Sequence, residues 1–348
     1  MNILLSSAGR RVGLIGCLRD GLRLAGLPGD VYAVDRACAA PAIHLSGISW
    51  QVPGCLEESF IASVFELARD HDVGLIVPTI DTELPAYAEA APQFRGAGIA
   101  VAISDPLTIA IGGDKRLTHT WLIDNGFPTV RQASAEQVLA QPEAWHFPAI
   151  AKPYGGSASS GVRRIGSAAQ LRAAMEERDN LIVQEIAAGD EYTVNVYVDR
   201  NGRCVCAVPH RRLEVRAGEV SKGYTVKNRR MMRLAAAVAE ALPGAWGPLN
   251  IQMFQAPDGS LRIIEINPRF GGGYPLAHEA GAHFTKWLVQ EIHGAAIPES
   301  ADDWQDDLAM LRFDDAVYLP GAMIRGAAGF RLSKDASALQ RSYTHGTT

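Results

Sequence analysis

The first hundred residues alternate between short apolar runs and longer amphipathic stretches. The predicted strands are residues 2–6, 30–35, 74–78 and 99–103, and the predicted helices are 11–24, 57–70 and 82–94. Strands that alternate with helices form a parallel sheet with covering helices. The pattern therefore predicts an α/β fold for this region.

The turn after the first predicted strand lies where dinucleotide-binding folds carry Gly-x-Gly-x-x-Gly. Only Gly9 and Gly13 are present there, so an NAD site is disfavoured. Asp35 closes the second strand as a ribose-binding acid would, but aspartate is also a common turn residue at such positions. Asp35 is left unassigned.

A second region begins near Gly113. Asp114 can cap a helix that runs to a stop at Gly126. Beyond it the pattern predicts strands at 147–152, 161–165 and 181–185, with a helix from Ser167 to Glu177 before the last of them. This order of elements indicates a short α+β unit.

Small residues dominate the segment 152–162, which begins with Lys152. Glycines let backbone N–H groups approach oxyanions, serine hydroxyls add donors, and a lysine supplies positive charge. The composition is typical of a phosphate-binding loop, and a flexible hairpin tip is an equal alternative. It is not a Walker motif, because no Gly-Lys-Ser/Thr follows the glycines.

A β-hairpin is predicted at residues 248–269, with a turn at 256–259. Period-two alternation places Glu265 and Asn267 on one face, together with Ile263. A four-residue turn would set Asn250 opposite Glu265 and bring Gln252 to the same face, an arrangement that a one-residue slip would break. Carboxylate and amide oxygens without His or Cys suit Mg²⁺. A polar cluster on a solvated sheet face is the alternative.

Composition narrows the range of partners. The 348 residues exceed what one hydrophobic core accommodates, and 33 basic against 38 acidic side chains give a net charge of −5. No basic tail or patch suggests nucleic acid or anionic lipid, and no apolar stretch is long enough to span a membrane. Five cysteines without Cys-x-x-Cys spacing indicate neither a disulfide framework nor a zinc site. A cytoplasmic location is the default expectation.

Several short motifs occur in an order that resembles the ATP-grasp superfamily, within it the carboxylate–amine ligases similar to one half of a carbamoyl phosphate synthetase large chain. The resemblance covers about residues 1 to 295. Its pieces are Ser-Ala-Gly-Arg-Arg at 7–11, Pro-Thr-Ile-Asp-Thr-Glu-Leu at 78–84, Gly-Asp-Lys at 113–115, Ala-Lys-Pro at 151–153, Gln-Glu-Ile at 184–186, Gly-Asp-Glu-Tyr at 189–192, Asn-Ile-Gln at 250–252 and Glu-Ile-Asn-Pro-Arg at 265–269.

The resemblance implies an ATP-grasp fold, in which a Rossmann-like parallel α/β domain precedes two α+β subdomains that clasp ATP. It implies domains at 1–112, 113–186 (the lid subdomain), 187–298 (the subdomain with the metal site) and 299–348 (a C-terminal extension). The implied cofactors are ATP and Mg²⁺, with Mn²⁺ as an alternative metal.

The resemblance also implies roles for individual residues. Lys115 and Lys152 match the lysines on the phosphates, and the loop with Gly155, Gly156, Ser157, Ser159, Ser160 and Gly161 would close over them. Glu185, Ile186 and Ala187 match the adenine hinge, and Glu191 matches the acid on the ribose hydroxyls. Gln252, Glu265 and Asn267 match the metal ligands, and Arg269 matches the arginine beside the transferred phosphoryl group.

The implied activity is an ATP-dependent ligase that joins a small-molecule carboxylate to an amine through an acyl phosphate and releases ADP and phosphate. Another phosphoryl-transferring or carboxylating enzyme on the same scaffold and a nucleotide-binding regulator without turnover are the alternatives. Only one lysine loop and one Glu-x-Asn-Pro-Arg element occur, so the doubled synthetase architecture is not supported. A homodimer is an open expectation.

A basic stretch at 210–224 is predicted to form a mobile loop between a strand and a helix starting near Val226. The resembling family has such a loop over the active site, so Arg212 or Lys222 is expected to contact phosphate or the acyl group. A solvated loop is the alternative. Asp81 and Glu83 are candidates either for holding an amino group or for capping a helix.

Overall fold

The computed structural model describes residues 1–156, 161–324 and 331–332. These form two compact units. The first contains residues 1–103 and 283–299 with the described part of 313–348, and the second contains 104–282 and 300–312. The finer division into four domains stays a prediction.

The helices are α1 (Val12–Leu24), α2 (Pro41–Leu45), α3 (Phe60–Asp70), α4 (Leu84–Gly96), α5 (Pro106–Gly113), α6 (Lys115–Asp124), α7 (Ala135–Ala140), α8 (Ala168–Glu177), α9 (Arg229–Ala241), α10 (Tyr274–Glu279) and α11 (Phe284–Ile292). The strands are β1 (Asn2–Leu5), β2 (Val31–Asp35), β3 (Ser49–Gln51), β4 (Val73–Val77), β5 (Ala100–Val101), β6 (Gln132–Ser134), β7 (Ala149–Pro153), β8 (Arg163–Ile165), β9 (Leu181–Glu185), β10 (Asp190–Val198), β11 (Cys204–Arg216), β12 (Glu219–Thr225), β13 (Gly247–Gln255), β14 (Leu261–Asn267), β15 (Ala309–Leu311) and β16 (Arg331–Leu332). None of the helices in the described residues is long and apolar enough to cross a membrane.

The first unit is built on a sheet with strand order β16-β3-β2-β1-β4-β5, parallel except for β16. The predicted α/β fold is therefore confirmed. Its core contains the buried rings of Phe60, Tyr87 and Phe94. Helix α11 returns to pack on α1, where Thr285 Oγ1 donates to the Cys17 carbonyl at 2.8 Å. Gly21 of α1 is required at this contact, because a Cβ there would lie 2.7 Å from Thr285 Oγ1.

Two acids of the first unit accept hydrogen bonds from the turns beside them. The buried Glu83 carboxylate accepts from the hydroxyls of Ser6 at 2.6 Å and Ser7 at 2.7 Å, and from the Thr79 N–H at 2.6 Å. These bonds join the turn after β1 to the turn after β4, and burial raises the pKa of Glu83. Asp35 accepts from the Gly9 N–H at 2.8 Å and is a turn residue here.

The second unit contains two antiparallel sheets. The larger has the order β14-β13-β10-β11-β12-β15, and the smaller has the order β6-β9-β7-β8. Buried Ala149, Leu171 and Val183 belong to the core of the smaller sheet and its helices. The predicted caps are confirmed: Asp114 accepts from the Arg116 N–H at the start of α6, and Ser167 accepts from the Gln170 N–H at the start of α8.

The predicted pairing of the 248–269 hairpin is wrong in register. Asn250 lies opposite Asn267, and Gln252 lies opposite Glu265, with a bulge before Met253 pairs with Ile263. The loop holds one residue more than predicted, since Gln255 pairs with Leu261, and the bulge adds another. The two offsets together shift the register by two residues, which keeps the polar side chains on one face.

The prediction of a loop at 210–224 is also wrong. These residues belong to the β11–β12 hairpin, whose two-residue turn is Ala217-Gly218. Both turn residues have positive φ, at 48° and 78°, as in the type I′ turns that suit a twisted hairpin. The hairpin adds two strands to the large sheet, and the following helix starts at Arg229, where the Asn228 side chain caps it.

Candidate active site

A cleft of about 480 Å³ lies in the second unit, lined from both of its sheets. The smaller sheet contributes Lys152 and the segment that follows β9, and the larger sheet contributes side chains from four strands. The lining residues predicted from sequence are Lys115, Lys152, Gly155, Gly156, Glu185, Ile186, Ala187, Glu191, Arg212, Gln252, Glu265, Asn267 and Arg269. The fold thus brings together residues that are more than 150 positions apart in sequence.

Two lysines approach the cleft from different elements. Lys115 is the first residue of α6, placed there by the Asp114 cap, and its Nζ lies 3.9 Å from Glu265 Oε1 and donates to the Gly156 carbonyl at 3.0 Å. Lys152 lies on β7 and is buried. Burial lowers the pKa of Lys152 to about 8, and the positive charge of Lys115 acts in the same direction, while Glu265 and Glu191 oppose it. Burial thus disfavours the charged form of Lys152, and an anionic ligand beside it would stabilise that form.

Polar side chains cover the floor of the cleft in a connected set. The Arg212 guanidinium lies 3.4 Å from Glu191 Oε1 and donates to Thr193 Oγ1 at 3.2 Å. One orientation of the Gln252 amide forms hydrogen bonds with both of its polar neighbours. In that orientation Nε2 donates to Glu265 Oε2 and the amide oxygen accepts from Arg212 Nη1, each at 3.1 Å. Burial raises the pKa of Glu191, although Arg212 opposes the shift.

Side-chain oxygens that could bind a metal ion lie at the end of the β13–β14 hairpin away from its loop. Glu265 and Gln252 face each other across the two strands, and Asn267 follows Glu265 on the same face. Asn267 Oδ1 also accepts from Arg269 Nη2 at 3.3 Å. The set has one carboxylate and two amide oxygens and no nitrogen or sulfur ligand. These ligands fit Mg²⁺, whose octahedral coordination would be completed by water and phosphate oxygens.

Apolar side chains also line the cleft. Ile150, Ile186, Phe254 and Ile264 are among them, and such side chains suit a flat heterocycle. Sequence reasoning missed three of these four. Phe254 could have been found by extending the alternation two residues beyond Gln252, whereas Ile264 reaches the cleft only through the bulge, which displaces Ile263 into the buried interior.

Some predicted residues are not brought to the cleft. Lys222 Nζ lies 2.7 Å from Glu214 Oε2 on the β11–β12 hairpin, and Lys222 is not among the cleft-lining residues. Gly161 does not line the cleft either. Ser157, Ser159 and Ser160 lie outside the described residues.

Comparison with known families agrees with this geometry. Residues 112–273 match the family model described as an ATP-grasp domain, and residues 3–102 match a PylC-like N-terminal domain. The chain contains an ATP-grasp domain. That domain includes every residue that lines the cleft, so the resemblance inferred from the motifs is confirmed.

Among curated proteins, this chain is similar to a D-alanine–D-alanine ligase of Corynebacterium aurimucosum, with 27% identity over 40% of this chain and 41% of that protein. The match therefore spans less than half of that relative. Among solved structures it is similar to the biotin carboxylase domain of the Hydrogenobacter thermophilus 2-oxoglutarate carboxylase, solved with MgADP and bicarbonate. The TM-score is 0.71 at 15% identity, over 88% of this chain and 73% of that one.

The L-amino acid ligase of Bacillus licheniformis is a further solved structure of the same fold. Its TM-score is 0.63 at 17% identity, over 84% of this chain and 73% of that chain. At such low identity the two structural similarities establish the ATP-grasp fold.

Proposed function

We propose that the protein is an ATP-dependent ligase that joins a small-molecule carboxylate to an amine through an acyl phosphate, releasing ADP and phosphate. The observation that carries the proposal is the convergence of Lys115, Lys152, Glu265, Asn267 and Arg269 on one cleft. Four cationic side chains line that cleft against the three carboxylates of Glu185, Glu191 and Glu265. The cleft is therefore net positive in a net acidic chain, as a site for an anionic nucleotide requires.

Each part of the cleft suits one part of ATP. The apolar lining residues and the hinge residues Glu185, Ile186 and Ala187 would hold the adenine ring. Glu191 would accept from the ribose hydroxyls. Lys115 and Lys152 would neutralise phosphate oxygens. Phosphate oxygens would also stabilise the protonated form of Lys152, whose pKa burial lowers to about 8, and so raise that pKa again.

Glu265, Asn267 and Gln252 would hold a magnesium ion, which would supply positive charge against the β- and γ-phosphate oxygens. In the reaction a carboxylate oxygen of the substrate attacks the γ-phosphorus, the bond to the bridging oxygen breaks, and ADP leaves. The amine then attacks the acyl carbon, and inorganic phosphate leaves with the former carboxylate oxygen. Arg269, beside Asn267, would offset charge on the transferred group, since phosphoryl transfer depends mainly on positioning and electrostatics.

A carboxylating enzyme that uses bicarbonate is the second candidate. The similarity in fold to a biotin carboxylase domain solved with bicarbonate favours considering it, and the first chemical step would be the same phosphorylation. The two candidates differ in the acceptor that stimulates nucleotide hydrolysis.

The test is an ADP-release screen in which amino acids are supplied in pairs, with bicarbonate in a parallel series. Hydroxylamine in place of the amine would trap an acyl phosphate as a hydroxamate. We expect ADP release that depends on a carboxylate and an amine together, and a hydroxamate of that carboxylate. Stoichiometric AMP would exclude the mechanism, and stimulation by bicarbonate alone would favour the carboxylating enzyme.

A further inference from the structure

Two glutamine side chains on neighbouring strands of the smaller sheet form a hydrogen-bonded pair beside the cleft. Gln132 on β6 lies directly opposite Gln184 on β9. Gln184 is 5% exposed and lines the cleft, whereas Gln132 is not among the cleft-lining residues. Gln184 Nε2 donates to Gln132 Oε1 at 2.6 Å. The pair therefore links a side chain of the cleft to one outside it.

A main-chain carbonyl fixes the orientation of both amides. Gln132 Nε2 donates to the Lys115 carbonyl at 3.0 Å, and a carbonyl oxygen can only accept. The nitrogen of Gln132 therefore points to Lys115 and its oxygen to Gln184, which must in turn direct its own nitrogen at that oxygen. Reversing Gln132 would set its oxygen against the Lys115 carbonyl oxygen and replace a hydrogen bond by repulsion between two acceptors.

This orientation leaves a hydrogen-bond acceptor for the cleft. Because the nitrogen of the Gln184 amide is bonded to Gln132, the side chain presents its oxygen, Oε1, to the cleft that it lines. Gln184 lies among the apolar lining residues, since it pairs with Ile150 on β7 and shares a face with Ile186 two residues further on. A flat ring held against these two isoleucines has its edge beside Gln184 Oε1.

We propose that Gln132 is a positioning residue that selects adenine over guanine, because it holds the Gln184 amide with its oxygen towards the base. The inference rests on the proposed function and adds to it the selection of the nucleotide base. Adenine carries an amino donor at the ring position where guanine carries an oxygen acceptor. Gln184 Oε1 accepts from the amino group of adenine, whereas it meets the oxygen of guanine as a second acceptor.

An amide at position 184 requires such positioning, whereas a carboxylate would not. The oxygen and the nitrogen of the Gln184 amide have nearly the same shape, but one accepts and the other donates. The base that the side chain favours therefore changes when the amide turns over. A carboxylate accepts with both of its oxygens and has no such second orientation. Base selection in this chain thus depends on Gln132, a residue that does not itself line the cleft.

The affinities for MgADP and MgGDP, each measured by calorimetry on the same protein, test the inference. Their ratio is insensitive to a partial loss of folding or of phosphate binding, since either affects both nucleotides alike. We expect the wild type to bind MgADP at least about tenfold more tightly than MgGDP, as one lost hydrogen bond with a polar group left unpaired implies. Gln132→Glu keeps an acceptor for Gln184 Nε2 and should keep this preference.

Two other changes at Gln132 should alter the ratio in different ways. Gln132→Met removes both hydrogen bonds, so the Gln184 amide can turn and the two affinities should become similar. Gln132→Lys supplies donors alone, so Gln184 should turn its oxygen to the new ammonium and its nitrogen to the cleft, and MgGDP should become the preferred nucleotide. Gln184→Glu cannot donate, so the double variant Gln132→Lys with Gln184→Glu should still prefer MgADP. Gln141→Lys, at an exposed glutamine that does not line the cleft, is the matched control.

Equal affinity of the wild type for the two nucleotides, or an unchanged ratio in both Gln132→Met and Gln132→Lys, would overturn the inference. A preference for MgGDP in the double variant would also overturn it, because Gln132 would then act without the Gln184 amide. Ligation is measured separately, by amide and hydroxamate formation in the wild type. Selective binding of MgADP without either product would reject the proposed ligase and leave base selection in place, whereas binding of neither nucleotide would reject both.

Discussion

Nucleotide affinity should depend on pH through Lys152. The buried ammonium has a pKa lowered to about 8 in the free protein, and phosphate oxygens beside it would return the pKa toward its ordinary 10.5. The nucleotide binds the form of the protein in which Lys152 is protonated. Nucleotide affinity is therefore highest below about pH 8 and falls above it. With those two pKa values, linkage gives a loss of about 30-fold at about pH 9.5 and a limit of about 300-fold at higher pH.

The assay is a titration with a fluorescent ADP analogue at fixed Mg²⁺ between about pH 7 and 9.5. Lys152→Arg is the control, since an arginine stays protonated throughout this range, and its affinity should change little with pH. Lys152→Met should bind more weakly at neutral pH and show no further loss. A flat profile for the wild type, or the same fall in Lys152→Arg, would refute the assignment of Lys152 to the phosphates.

Three further predictions concern the cleft. Glu265→Gln removes the single carboxylate of the metal set, so the affinity for Mn²⁺, measured by electron paramagnetic resonance, should fall at least tenfold. The thermal unfolding midpoint of the metal-free protein should fall little. Unchanged Mn²⁺ affinity would contradict the metal assignment. Arg212→Ala should reduce nucleotide affinity because it leaves Glu191 without its ion pair. Lys222→Ala, on the same hairpin, removes only an exposed ion pair with Glu214 and should bind nucleotide as the wild type does. Equal losses of affinity in the two variants would mean that the effect comes from the hairpin as a whole and not from Arg212. Gly112→Ala should destabilise the protein by about 1–3 kcal/mol, as overpacking does, because its Cβ would lie 2.6 Å from Pro268 Cδ and 2.9 Å from the Ile266 carbonyl; an unchanged denaturation midpoint would show that the contact relaxes freely.

Local signals in the sequence predicted much of this structure. The alternation of strands and helices predicted the parallel sheet, because each element must bury one face against the next. Asp114 and Ser167 marked helix starts correctly, since a cap depends on residues three positions away. The lysines, the hinge and the Glu-x-Asn-Pro-Arg segment predicted residues that the fold does bring to one cleft.

The features that were mispredicted depend on how strands pair. The bulge near Ile264 and the five-residue loop each shift the register of the hairpin by one residue. Because the two shifts add up to two residues, the predicted polar side chains still lie on one face of the sheet. Ala217 and Gly218 both have positive φ, as in a type I′ turn, but the charged residues around them predict a loop and not two paired strands.

Transfer of the γ-phosphoryl group to a carboxylate is the central claim, and oxygen labelling tests it most directly. The carboxylate that stimulates ADP release is supplied with oxygen-18 in both positions, together with its amine and ATP, and the inorganic phosphate is examined by phosphorus-31 spectroscopy. An acyl phosphate mechanism predicts one labelled oxygen in each phosphate released, because the former carboxylate oxygen leaves with phosphorus. Unlabelled phosphate, or label found in AMP, would contradict the account.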